Sequence, residues 1–206
     1  GEVLTLLQEG EWLLGFGTSL LITLAMLFSC IGFGSQFLQH KAWDYCFGIG
    51  LVCLGTALLP LTALGLLSFS LLLIPVGLYL LWRNHWEIVW FRRDSWFVVW
   101  TVLFGILQLN ILLPQIDTDA LYYHLAVPKQ IWLQSQLLGG ELKPNASRPL
   151  PFHLVLSLIF GMGGFQAMLS LCSLIGLGAM LSLGERIRGS SRWFVLLLCL
   201  GSYLFL

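Results

Sequence analysis

Long apolar runs alternate with short polar interruptions along this chain, and the run lengths predict its elements. A bilayer is crossed by about 20 helical residues. The runs at 12 to about 37, 45–64, 66–82, 96–113 and 165–183 come close to that length, and a further run opens at Trp193 and continues to Leu206. Residues 151–164, PFHLVLSLIFGMGG, are apolar but too short to span, so they are expected to lie along the membrane surface or dip into it. Pro60 is expected to kink the second span near its end, Pro75 falls inside the third, and Pro114 closes the fourth. Gly15, Gly17, Gly32 and Gly34 are expected to let neighbouring helices approach closely.

The longest polar interval runs from Gln115 to His153. Long loops inside compact domains are uncommon and usually functional or disordered, and this one is too rich in Leu, Ile, Trp and Tyr for disorder. Asp117, Thr118 and Asp119 suit a helix start, and the pattern predicts a helix from Asp119 to Leu138 with Gly139-Gly140 as its stop. Leu121, Leu125, Pro128 and Trp132 form one apolar stripe, with Asp119, Tyr123, Gln130 and Gln134 opposite. Such a helix lies in an interface, its greasy face down and its polar face up. Pro128 either kinks it or begins a second helix after Val127.

Composition strengthens the membrane reading. With 206 residues, 58% hydrophobic, 10% charged and mean hydropathy +0.88, the chain lacks the charged surface of a water-soluble domain. Zero formal net charge gives no bulk attraction to nucleic acid. The first residue is Gly1 and the last apolar run is cut at Leu206, so a piece of a longer protein is expected. Lys and Arg concentrate on cytoplasmic loops. Placing the acidic N-terminus outside puts Lys41, Arg83/Arg92/Arg93 and Arg186/Arg188/Arg192 inside and the long loop outside, provided 151–164 does not span. Trp82, Trp86, Trp90 and Trp96 beside the arginines read as an interfacial belt. Cys30, Cys46, Cys53, Cys172 and Cys199 lie in or beside apolar runs without metal-site spacing, and are expected to be buried hydrophobes.

Several kinds of chemistry fit the polar interval. A carboxylate there can act as a general base toward an acceptor hydroxyl or amine. Asp117 and Asp119 together can share a divalent metal, or either can simply cap a helix. Lys129, Lys143 and Arg148 can bind phosphate or be plain interface charges, and His124 can serve as a local hydrogen-bonding group. Asn145-Ala146-Ser147 fits the glycosylation sequon, a pattern short enough to occur by chance.

The run Asp119-Ala-Leu-Tyr-Tyr-His124-Leu-Ala-Val-Pro128-Lys129, the Gly-Gly stop and Arg148-Pro149-Leu-Pro151 resemble the first outer loop of GT-C glycosyltransferases. The resemblance is greatest to bacterial relatives of the protein O-mannosyltransferases and aminoarabinose transferases. It covers about residues 96–206. The resemblance implies an all-α, polytopic transmembrane bundle with juxtamembrane helices in the outer loop at 115–164, the second of them at 151–164. It also implies a division into a three-span extension at 1–95 and the N-terminal part of a catalytic domain at 96–206. The implied reaction is inverting transfer of a sugar from a polyprenyl-phosphate donor to a lipid, glycan or protein acceptor, outside the cytoplasm of a bacterial inner membrane. Asp119 matches the family's acidic residue, with Asp117 beside it; Tyr123, His124, Lys129, Arg148 and His153 are candidate substrate-binding residues. Many relatives have Asp-Glu where this chain has Asp119-Ala120, and Glu near the position of His153. The rival expectation is a transporter or structural membrane protein with a non-catalytic loop. A transporter should place ionisable residues inside its spans, where this sequence has few.

Overall fold

The computed structural model describes residues 2–39, 41–90, 95–110, 126–135 and 150–187. Their regular structure is helical: α1 (Glu2–Gly34), α2 (Trp43–Ala63), α3 (Leu73–Asn84), α4 (Ser95–Asn110), α5 (Ala126–Gln134) and α6 (Leu150–Arg186). Gly15–Gly34, Trp43–Ala63, Leu67–Glu87 and Pro151–Arg186 are long and apolar enough to cross a membrane. Pro60 sits inside α2. The third apolar run handles its proline differently from expectation. A 3-10 segment (Leu67–Leu72) comes first and α3 begins at Leu73, so Pro75 falls in a first turn, where its missing N–H breaks no helical bond.

Hydrocarbon tails are as apolar as leucine, so helices in a bilayer are held by close packing and hydrogen bonds rather than by hydrophobic transfer. The pairing of α1 with α2 follows that rule. A methyl group on Gly34 would lie 1.8 Å from the Cys46 carbonyl oxygen, and one on Gly50 would lie 1.7 Å from that of Cys30. These contacts make the two helices antiparallel. Gly32 approaches Gly77 in the same way, while Asn84 Nδ2 donates to Ser35 Oγ at 3.1 Å, so α3 runs in the direction of α1. Gly17 has nothing within 4 Å of the place a methyl group would take, so only part of the expected glycine packing is realised.

Helix α6 is two arms. Gly164 (φ 64, ψ −157) breaks the helical path at the boundary that the sequence places between a short segment and a span. Ser19 Oγ donates to the Gly163 carbonyl at 3.2 Å, at the break, and Thr23 Oγ1 to that of Ala167 at 3.3 Å, so the second arm sets out parallel to α1. Trp100 Nε1 donates to the Leu177 carbonyl and Ser170 Oγ to Gln108 Oε1, which sets α4 antiparallel to it.

The first arm turns back. Pro151 packs on Gly55 of α2, while Ser182 donates to Asp44 near the start of the same helix. On α2 those two points are about 16 Å apart at 1.5 Å per residue, whereas an unbroken helix would set Pro151 about 46 Å from Ser182. The fold-back at Gly164 reconciles the two lengths, so the first arm enters the bundle without crossing it. A surface helix would keep one polar face. Here every residue from 153 to 159 is buried, so of the two placements expected for this segment, along the surface or dipping inward, the fold has it packed within the bundle. Residues of α1, α2, α5 and both arms of α6 form one continuous core, including Met26, Cys30, Leu54, Ile131, Leu158 and Met168. Cys30 and Cys46 are buried as expected, Cys53 is half-buried and Cys172 is exposed; Cys199 lies outside the described residues.

Candidate functional site

This topology gives the bundle two distinct ends. The C-terminal ends of α1, α3 and α6 meet the start of α2 at one of them. Lys41, Arg83 and Arg186 gather there, and it is called the basic end below. Lys41 pairs with Glu87, and Arg186 pairs with Asp44 while its guanidinium lies 4.7 Å from the Tyr45 ring centroid. Trp43 Nε1 donates to Glu185 at 3.3 Å, and the Trp43 amide bonds to the Val89 carbonyl at 3.1 Å. Asp44 in the first turn of α2 and Arg186 in the last turn of α6 also suit the helix dipoles at those positions. Trp82 and Trp86 are largely exposed here, as a belt residue should be. Arg92, Arg93, Arg188 and Arg192 lie outside the described residues.

The opposite end holds the break at Gly164, the close of α2 and helix α5, and α4 points towards it. Pro128 lies within the described part of α5, and the residues before Ala126, on which the two roles expected of that proline differ, lie outside the described residues. Ser135 adopts φ 50, a left-handed conformation that stops the helix before the expected Gly139-Gly140. Val127, Pro128 and Ile131 face inward, and Lys129, Gln130, Leu133 and Gln134 face outward. The Trp132 indole lies over Gly161, where even a methyl group would approach it to 2.2 Å, so α5 is laid directly on the first arm of α6. Lys129 is exposed, with Nζ 5.5 Å from the Phe165 ring centroid, beside the break. A cation over an aromatic face at an exposed site is worth about 0.5–1 kcal/mol, enough to favour one orientation of a long side chain.

His153 is fully buried in the first arm. Lys129 meets the far end of that arm, about 18 Å of helix away, so these two candidates are not brought together. Asp117, Asp119, Tyr123, His124 and Arg148 lie outside the described residues, as do Lys143 and the sequon at Asn145. Among the described residues no three His, Cys, Asp or Glu side chains group as a metal site. Sequence reasoning missed the Lys41–Glu87 and Asp44–Arg186 pairs. The one available signal was an acid in the first turn of one helix and a base in the last turn of another.

Comparison with family models, curated proteins and solved structures finds no match to this chain.

Proposed function

We propose that this chain is part of an integral-membrane glycosyltransferase of GT-C type. It would transfer a sugar from a polyprenyl-phosphate donor to a lipid, glycan or protein acceptor on the non-cytoplasmic side. The motif from Asp119 to Lys129, leading into a proline-rich stretch and a short apolar segment, carries this reading. What supports it in the fold is the separation of ends: the basic residues at one, Lys129 and the helix break at the other. In this reading Asp119 accepts a proton from the acceptor or orients it, with Asp117, Tyr123 and His124 in support. Lys129 and Arg148 stabilise the charge developing on the phosphate leaving group. The buried position of His153 suits a positioning role better than direct contact with substrate. Asp117 and Asp119 provide oxygen ligands that a hard divalent cation would accept.

The test is transfer from a polyprenyl-phosphate sugar by purified full-length protein. General acid–base groups contribute about 10² to 10⁴-fold in rate, so Asp119→Asn is expected to lower turnover at least about 100-fold while the protein still folds. Comparable losses in Asp117→Asn, together with inhibition by chelator, would assign the pair to a metal. Near-normal turnover in Asp119→Asn would remove that residue from the active site.

A further inference from the structure

A cavity of about 540 Å³ separates α4 from α1 and α2 in the half of the bundle nearer the basic end. Its walls are apolar, and aromatic rings dominate them. Trp100 stacks on Phe104 with centroids 5.6 Å apart, and Phe28 meets Trp90 edge-on at 6.3 Å. Two of the tryptophans that line it have their ring nitrogens engaged elsewhere: Trp43 donates to Glu185 and Trp100 to the Leu177 carbonyl. The described lining is therefore mainly hydrocarbon and aromatic surface. The space is open at the side of the bundle and has room for a hydrocarbon chain.

A second recess of about 500 Å³ lies alongside and shares Trp43, Phe47 and Gly178 with the first. It is lined by apolar residues such as Leu51 and Ile175, but at the basic end it reaches Asp44, Tyr45, Ser182 and Arg186. Two hydrocarbon-lined spaces thus stand side by side, with a carboxylate and a guanidinium at the end of one. We propose that a zwitterionic phospholipid occupies them. One acyl chain lies in each space, and the phosphate and ammonium of the headgroup sit against Arg186 and Asp44. The charge pattern selects this occupant: a neutral acid–base pair complements a headgroup that carries both signs. The lipid fills the gap between α4 and the first two helices.

The test is photolabelling of the full-length chain in vesicles of phosphatidylethanolamine carrying a diazirine on an acyl chain. Adducts are expected on Trp100 and Phe104 in the cavity, in addition to Val98 and Val102 on the exposed face of α4. A methyl group on Gly178 would meet only Trp43, at 3.9 Å, so Gly178→Leu is expected to fill the shared space and abolish the cavity adducts while sparing those on Val98 and Val102. Leu174→Phe is a second filling variant. Arg186→Gln should lower cavity labelling about tenfold, the equivalent of one charge-assisted hydrogen bond. Labelling confined to Val98 and Val102 in the folded parent protein would overturn the proposal and indicate that protein fills the space. Stronger cavity labelling by a diazirine polyprenyl phosphate than by phosphatidylethanolamine would overturn the choice of occupant. The outcome is independent of sugar transfer.

Discussion

At the basic end, residues far apart in sequence are tied by charge and by backbone contact: Lys41 to Glu87, Asp44 to Arg186, Gly34 against Cys46. At the opposite end, the helices are joined by a break and an overlay. Gly164 turns the chain, α5 lies on the first arm, and Lys129 rests over Phe165 in solvent reach. One end fixes the helices against one another. The other holds a short helix and an exposed cation where the long polar interval leaves the bundle. The proposed function needs both, because a loop is positioned only as well as the scaffold beneath it.

The largest expected effect breaks the fixed end. Gly34→Ala forces a methyl group into a carbonyl 1.8 Å away, whereas Gly17→Ala meets nothing within 4 Å. Overpacking costs typically about 1–3 kcal/mol, so thermal unfolding in detergent should show a clear loss for Gly34→Ala and no loss for Gly17→Ala. Equal midpoints would contradict the α1–α2 packing. Next comes Gly164→Ala. The pair φ 64, ψ −157 belongs to a region open essentially to glycine alone, and strain of that kind costs about 1–3 kcal/mol. The melting point should fall, and proteolysis near the break should quicken; unchanged behaviour would indicate one continuous helix.

Much of this was legible in the sequence because run length and charge act locally. The spans of α1 and α2, the boundary at Gly164 and the gathering of Lys41, Arg83 and Arg186 all follow from where apolar runs stop and basic residues begin. Prolines were harder. Pro75 looked like an interior residue because a 3-10 start has no hydrophobic signature of its own. For the first arm of α6 the sequence left two placements open, along the surface or dipping inward, since an apolar segment reads alike whether it faces lipid or protein. The Asp44–Arg186 pair joins positions 142 residues apart, which no local pattern encodes. Within the candidate site, the sequence marked a helix through Pro128 and Trp132, but Ser135 gave no hint of a left-handed stop.

Smaller effects sharpen the contrast. Arg186 is 43% exposed at its side chain and Asp44 13%, so a double-mutant cycle with Arg186→Ala and Asp44→Ala should return a coupling of about 0.2–1 kcal/mol. A coupling of zero would mean that the basic end rests on its glycine packing alone. Lys129→Gln should change stability least, within about 0.5 kcal/mol, because the side chain is exposed. The same substitution should lower transfer from the phosphate-linked donor if Lys129 serves the leaving group. A variant as active as the parent would leave Lys129 a plain surface charge.

The two-ended account is tested most directly by sidedness. In a full-length, cysteine-free background, single cysteines at Gln134 and Gln36, both exposed, would be offered an impermeant thiol reagent in intact cells. Gln134 marks the end that carries α5, and Gln36 follows α1 at the basic end. The account predicts rapid labelling at Gln134→Cys, and labelling at Gln36→Cys only after the membrane is opened. The reverse pattern would place α5 and the polar interval in the cytoplasm, and would contradict the proposed chemistry along with the topology.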